Sequence, residues 1–214
     1  MRLSVQAVHK QLGTRPILRG VSFTMAADEV VVILGENGSG KSTLLQLVAG
    51  ILEPDAGQIR MDGDSLTGGA VAARRKLGYV PDSASPLPDL LVAELCALVC
   101  SLKQAPPPHR TLYEQLGVAP YLQQRLGTLS FGQRKRACLL AALIGNPSLL
   151  LLDEPSNGLD PEGVQLITSL IAERRRQGLA TLLSSNDPPF ANALHGNHYR
   201  IQDGLLTAQS HVGG

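Results

Sequence analysis

The chain has 214 residues, 43% of them hydrophobic and 17% charged, which is enough for one core with a small appended lobe and too little for a long multidomain machine. Nineteen basic against eighteen acidic side chains give a formal charge of +1, and no five consecutive residues share a sign. Together with four tyrosines, three phenylalanines and no tryptophan on which bases could stack, this argues against a nucleic-acid partner.

In chain order, Leu3, Val5 and Ala7 alternate with polar neighbours, with none of the apolar core of a secretory signal, so a cytoplasmic chain is expected. Val21, Phe23 and Met25 alternate likewise after a Gly- and Pro-containing loop, and the two strands should pair antiparallel. Val30–Leu34 is a continuous apolar run stopped by Gly35, and a helical pattern follows from Lys41 to Gly50: a buried strand, a loop and a helix. Ile59 and Met61 lead into an Asp62-Gly63 turn, and Leu77–Val80 is a short strand closed by Pro81.

Residues 83–147 differ in texture. Helical periodicity runs from Leu90 to Leu102, a Pro106-Pro107-Pro108 connector follows, and a second helix is predicted from Ser130 to Ile144 with Gly145 beyond. Cys96 and Cys100, four apart on the first helix with no nearby Cys or His, read as buried thiols and not as half a metal site. The α/β pattern resumes with a strand at Leu149–Leu152, a helix at Pro161–Arg176, a strand from Thr181 to Ser184 and a closing hairpin around Asp203-Gly204. The fold class read from this order is α/β: a parallel-sheet core formed by residues 1–82 and 148–214, with an N-terminal antiparallel β subdomain and a helical lobe inserted at 83–147, all in one domain. The longest apolar stretches, such as residues 137–144, fall far short of the ~20 residues of a membrane span.

Three segments carry chemistry. Gly35-Glu36-Asn37-Gly38-Ser39-Gly40-Lys41-Ser42 fits the phosphate-loop pattern, lying between a β-branched strand and a helix. There glycines let backbone N–H groups curl around phosphate oxygens, Lys41 reaches the β- and γ-phosphates, and the Ser42 hydroxyl holds Mg²⁺. Leu149–Leu152 delivers Asp153 and Glu154 at a strand's C-terminal end, where two carboxylates are costly unless something cationic neutralises them. Asp153 is expected to hold Mg²⁺ indirectly, through the ligands that touch the ion, and Glu154 is placed to orient or deprotonate a water attacking the γ-phosphate. Ser130-Phe131-Gly132-Gln133 makes a capping box at a helix N-terminus crowded by Arg134, Lys135 and Arg136. Either an anion docks there or the three cations form a solvated face.

These segments together resemble the nucleotide-binding subunits of ATP-binding cassette (ABC) transporters, over nearly the whole chain. Residues 35–43, through Thr43, look like the Walker A loop of a P-loop NTPase. Residues 129–133 look like the signature motif, 149–154 like Walker B with its catalytic glutamate, and 156–160 like the D-loop. The resemblance implies a subunit that binds and hydrolyses ATP with Mg²⁺ and powers a separately encoded permease, of exporter type, from the inner face of the membrane. It also implies a head-to-tail dimer, a homodimer in the first instance, in which Ser130, Gly132 and Gln133 of one subunit close over ATP on the other. The permease would dock on a surface running from Asp82 through Glu94.

The chain departs from the family pattern at four positions. Leu12 stands where an aromatic usually stacks on adenine, Phe131 replaces the first signature glycine, Asp82 replaces the Q-loop glutamine, and Asn186 replaces the switch histidine. Asp82 still offers oxygen to Mg²⁺ and Asn186 still donates a hydrogen bond to the γ-phosphate, without a titratable ring. The alternative is a regulatory cassette that closes on ATP with impaired hydrolysis; a soluble cassette acting on nucleic acid is disfavoured by the charge balance.

Overall fold

The computed structural model describes residues 2–68, 70–83 and 87–209. Strands β1 (Leu3–Leu12) and β2 (Arg15–Met25) pair antiparallel, as their alternation requires. The alternation slips once. Ala7 sits at φ +46 in a bulge, so that Val8 takes the buried position expected of Ala7. Strand β3 (Val30–Leu34) and helix α1 (Lys41–Val48) follow where the sequence places them, then β4 (Ala56–Met61) and β5 (Asp64–Ser65) around the Asp62-Gly63 turn. Strands β2, β1, β4 and β5, in that order, form a four-stranded antiparallel sheet.

Helix α2 (Val71–Arg75) precedes β6 (Leu77–Val80), after which come α3 (Val92–Lys103), α4 (Arg110–Gln115) and α5 (Phe131–Leu143). The chain ends with β7 (Leu149–Leu152), α6 (Pro161–Arg176), β8 (Ala180–Ser185), α7 (Pro188–Asn192) and the hairpin of β9 (Asn197–Gln202) with β10 (Leu205–Gln209). The second sheet has six strands in the order β10-β9-β3-β8-β7-β6, parallel throughout except for the terminal hairpin.

Both faces of this sheet are covered, which is why its central strands read as unbroken apolar runs. Val31, Ile33, Leu149, Leu151 and Leu182 point into a core shared with α1 and the antiparallel sheet. Val30, Val32, Leu150, Leu152 and Leu183 point the other way, into a core shared with α3, α5 and α6. The inserted helices therefore have no separate core: Leu139, Leu140 and Leu143 of α5 pack with the sheet. Lys103 ties α3 to the end of α5 by donating to the carbonyls of Ala142 and Ile144 at 3.0 and 2.9 Å, and burial lowers its pKa to about 8. Arg174 of α6 is buried too, donating to Pro147 and Ala180 carbonyls across the strand ends.

Cys96 and Cys138 are buried, and burial pushes both thiols up to about 11; Cys100 is half-buried. Because the thiolate is the nucleophile, iodoacetamide at pH 8 should label Cys100 first in the folded protein and reach Cys96 and Cys138 only on unfolding. Mass spectrometry of the labelled peptides checks this, and uniform labelling of all three under native conditions would show that the helical core opens readily.

Candidate functional site

The loop leaving β3 is shaped by close approaches that only glycine permits. A Cβ on Gly35 would lie 2.6 Å from Ser39 Oγ and 2.8 Å from the Ile201 carbonyl oxygen. Gly40 has φ +109 and would put a Cβ 3.0 Å from the Ile17 side chain of β2. Gly40 is the N-cap of α1 and supplies no side-chain cap, so the first N–H groups of the helix remain open to an anion beside Gly38 and Ser39. Thr43 continues the helix inward to Leu44 and Leu45, both fully buried between the two sheets.

Two buried carboxylates meet this loop. Asp153, 2% exposed, accepts hydrogen bonds from Ser42 Oγ at 3.1 Å and Ser184 Oγ at 2.6 Å. The Ser184 hydroxyl also accepts the main-chain N–H of Glu154 at 2.9 Å, joining the two acidic residues through one side chain of β8. Glu154, 5% exposed, sets one carboxylate oxygen 2.9 Å from Lys41 Nζ and the other against the main-chain N–H of Asn186 at 2.8 Å. Lys41 Nζ also donates to the carbonyls of Gly35 and Glu36 at 2.7 and 3.1 Å, so the loop lysine is pinned between its own loop and the strand-end glutamate. The Asn186 side chain reaches across to Asn37 Oδ1 at 3.0 Å.

A cleft of about 490 Å³ opens beside the loop, lined by Arg15, Ile17, Arg19, the loop residues Glu36, Asn37, Gly38 and Ser39, and Arg200 and Asp203 of the terminal hairpin. Leu12 stands 46% exposed at the end of β1, outside this lining; the hairpin register pairs it with Arg15, and Arg15 is the residue that faces the cleft. Three arginines against Glu36 and Asp203 leave the cleft's side chains net cationic.

Ser130, Gly132 and Gln133 stand at the head of α5, where Ser130 Oγ accepts the Gln133 N–H and Gln133 Oε1 accepts the Ser130 N–H, as the capping box requires. The three cations behind them turn to partners within the protein and Lys135 is buried, which corrects the reading of them as a solvated face. Arg134 donates to the Leu129 carbonyl, Arg136 lies 3.8 Å from Asp160, and Lys135 is 2% exposed. Lys135 Nζ donates to the carbonyls of Glu154 and Asn157 at 2.5 and 3.1 Å and sits 5.4 Å from the centre of the Phe131 ring. Burial lowers its pKa while Asp82, Glu154 and Asp153 oppose the shift. Asp82 faces this lysine at 4.0 Å and accepts from Asn157 Nδ2 at 3.3 Å, so the structure sets it against the helix of Ser130. Phe131 lies over Gly158, where a Cβ would stand 2.6 Å from the ring.

Lys41, Ser42, Asp153, Glu154, Asn186 and Asn37 are thus brought together, while Ser130 and Gln133 pair with each other at the head of α5 and Gly132 stands beside Gly158 and Leu159. Sequence reading did not single out Ser184, Lys135 or Asn157 as site residues. Because Ser184 Oγ serves Asp153 and Glu154 at once, Ser184→Ala should cost about 1–3 kcal/mol of stability by leaving buried groups unsatisfied. Denaturant unfolding measures it, and a change near zero would mean that the network relaxes around the loss.

With this geometry in place, comparison with known proteins is direct. The ABC transporter family matches residues 18–157. The lipopolysaccharide export system ATP-binding protein LptB of Haemophilus influenzae is 34% identical over 194 residues, covering 86% of this chain and 80% of LptB. The Fe(3+) ions import ATP-binding protein FbpC 1 of Rhodococcus jostii is 36% identical over 195 residues, covering 88% of this chain and 56% of its own length. The dimeric structure of an ATP-binding cassette in a post-hydrolysis state bound to ADP and Pi superposes with a TM-score of 0.87 at 23% identity, over 99% of this chain and all of that one, a likeness of fold. A phosphate loop between β3 and α1, two carboxylates at the end of β7 and an α/β core of this topology are accounted for together: the chain belongs to the ABC transporter family, among its ATP-binding subunits.

Proposed function

We propose that this chain binds and hydrolyses ATP and delivers the free energy to a separate membrane-spanning permease. The observation that carries the reading is the paired contact at the loop: Ser42 with Asp153, and Lys41 with Glu154, all within one buried cluster. In this reading Lys41 holds the outer phosphates, exchanging Glu154 for phosphate oxygens as nucleotide enters. Glu154 then becomes free to orient and deprotonate the attacking water. Asn186 donates to the γ-phosphate from the opposite side, and the cationic cleft of Arg15, Arg19 and Arg200 receives the rest of the nucleotide.

A hydroxyl and a buried carboxylate 3.1 Å apart are the hard-oxygen donors that Mg²⁺ takes, and this pair fits the ion. Among the described residues no three His, Cys, Asp or Glu side chains cluster as a metal site, so phosphate oxygens and water complete the set. When bound, Mg²⁺ neutralises charge developing on the phosphates.

A second subunit closes the site, with Ser130 and Gly132 of the partner subunit meeting the γ-phosphate; Gly132, half-buried and without a side chain in the first turn of α5, supports this arrangement, and a homodimer is the simplest form. In this reading the permease is a partner chain that holds this one at the inner face of the membrane; among the described residues no helix is long and apolar enough to cross a membrane. Its docking surface runs from Asp82 to Glu94, where Leu87 is 58% exposed; Ser85 of that surface lies outside the described residues. Export is the direction that the sequence resemblance implies; among the relatives, LptB serves export at 34% identity and FbpC 1 import at 36%. The rival reading, a regulatory cassette that closes without turnover, draws on one observation: Asp82 is engaged with Lys135 and Asn157.

The experiment measures ATP binding and phosphate release by purified wild type and three variants, with and without permease. Lys41→Ala should lose ATP binding. Glu154→Gln should bind at least as well as wild type, because the ion pair competing for Lys41 is gone, and should hydrolyse at least ~10²-fold more slowly. Equal loss of affinity in both variants would sink the division of roles. Asn186→His should raise turnover only modestly, since Lys41 and Glu154 remain in place. Wild-type turnover no faster than that of Glu154→Gln, with a large gain from histidine, would establish the regulatory cassette instead.

A further inference from the structure

Among the described residues Lys135 is, with Arg174, one of two buried cations that the proposed chemistry does not use, and it is the one beside the site. Its ammonium joins three segments far apart in sequence: the Glu154 and Asn157 carbonyls in the turn after β7, the Asp82 carboxylate after β6, and its own helix α5, headed by Ser130. Asn157 Nδ2 closes the ring by donating to the same Asp82 oxygen. The turn it grips is unusual, because Glu154 has φ +45, a region that non-glycine residues enter only when the surroundings hold them there. That backbone twist directs the residue's two ends to different places. Its carbonyl goes to Lys135 and its carboxylate to Lys41 and the Asn186 N–H.

We propose that Lys135 is a positioning residue for Glu154: by holding the Glu154 and Asn157 carbonyls it fixes the left-handed turn and hence the aim of the carboxylate, and it couples that aim to the placement of its own helix α5 and, through Asp82, to the segment after β6. The inference rests on the ATPase reading for its consequence in turnover, but its structural content stands apart from it. An apolar side chain of similar length, as in Lys135→Met, takes the ammonium away from both carbonyls, leaving the Glu154 carbonyl only the Asn157 N–H at 3.2 Å, and so loosens the turn. A shift of about an ångström in a group that orients water lowers turnover by about 10²-fold while leaving the phosphate contacts of the loop in place. The coupling also gives Asp82 a defined part: its charge matches a buried ammonium, which a glutamine there would not do.

The test uses full-length Lys135→Met alone and combined with Glu154→Gln, with Lys135→Arg as the conservative variant that keeps donors for both carbonyls and covers the case in which the methionine variant fails to fold. In the wild-type background Lys135→Met should lower kcat by about 10²-fold with KM changed less than about twofold, and Lys135→Arg should recover most of the loss. In the Glu154→Gln background the same substitution should change residual turnover by less than about twofold, because there is no carboxylate left to aim. Equal losses in both backgrounds, or a change confined to KM, overturn the proposal. Hydrogen exchange supplies a readout independent of hydrolysis: the Asn186 amide, which donates to Glu154, should exchange faster in both Lys135 variants than in wild type, the more so in Lys135→Met, with global unfolding unchanged. Unaltered Asn186 exchange in Lys135→Met, or in Lys135→Arg if only that variant folds, overturns the positioning role even if turnover falls. Wild-type turnover equal to that of Glu154→Gln instead counts against the ATPase reading, and the exchange result then decides the role of Lys135 alone.

Discussion

Four charged side chains, Lys41, Lys135, Asp153 and Glu154, are each 5% exposed or less, at the end of strands that are otherwise wholly apolar. Isolated charges cannot remain ionised in such surroundings, so each must find an opposite charge or a full set of hydrogen bonds. Lys41 takes Glu154 and two loop carbonyls; Asp153 takes two serine hydroxyls; Lys135 takes two carbonyls, with Asp82 beyond. The mutual satisfaction of these groups fixes the relative placement of β3, β7, β8, α1 and α5. A break in any one of them leaves a buried charge behind, which costs more than the contact itself contributes.

The same constraint explains the shape of the phosphate loop. The loop needs its lysine near the end of β7, the next strand but one, and because β3 and β7 flank β8 the sheet order sets the Lys41 to Glu154 distance. Ser184, on β8 between them, carries the bridging hydroxyl. Glycines at 35 and 40 let the loop turn tightly against Ile201 and Ile17 without displacing either sheet.

How much of this was legible follows the same physics. Continuous apolar strands are unambiguous when both faces are buried, and Val30–Leu34, Leu77–Val80 and Leu149–Leu152 lie where the sequence places them, as does helix Pro161–Arg176 with its proline start. Short helices carry too few turns to show a period, and Val71–Arg75, Arg110–Gln115 and Pro188–Asn192 were not anticipated. Ala7 was misplaced because a bulge changes the parity of an alternating strand without a mark in composition. Lys135 was read by residue type, as one of three cations at a helix N-terminus. Its position carried the better signal, since 135, 138, 139 and 142 fall on one helical stripe and all four are buried. Ser184 was hidden likewise, as a polar residue ending an apolar strand, and only the sheet order shows what it touches.

The two departures from the family pattern at Asp82 and Asn186 look different once those contacts are known. What Asn186 gives Glu154 is its main-chain N–H, which every residue but proline supplies, and its side chain is turned to Asn37 at the rim of the loop. What Asp82 gives is a charge opposite Lys135 and an acceptor for Asn157. The Asn186 side chain is therefore not required to hold the buried cluster of Lys41, Ser42, Asp153 and Glu154 in place, whereas the Asp82 charge reaches Glu154 through Lys135. A buried charge tolerates no missing partner, whereas at the rim water can replace a lost hydrogen bond at little cost, so a substitution of Asn186 disturbs less than one of Lys41 or Glu154.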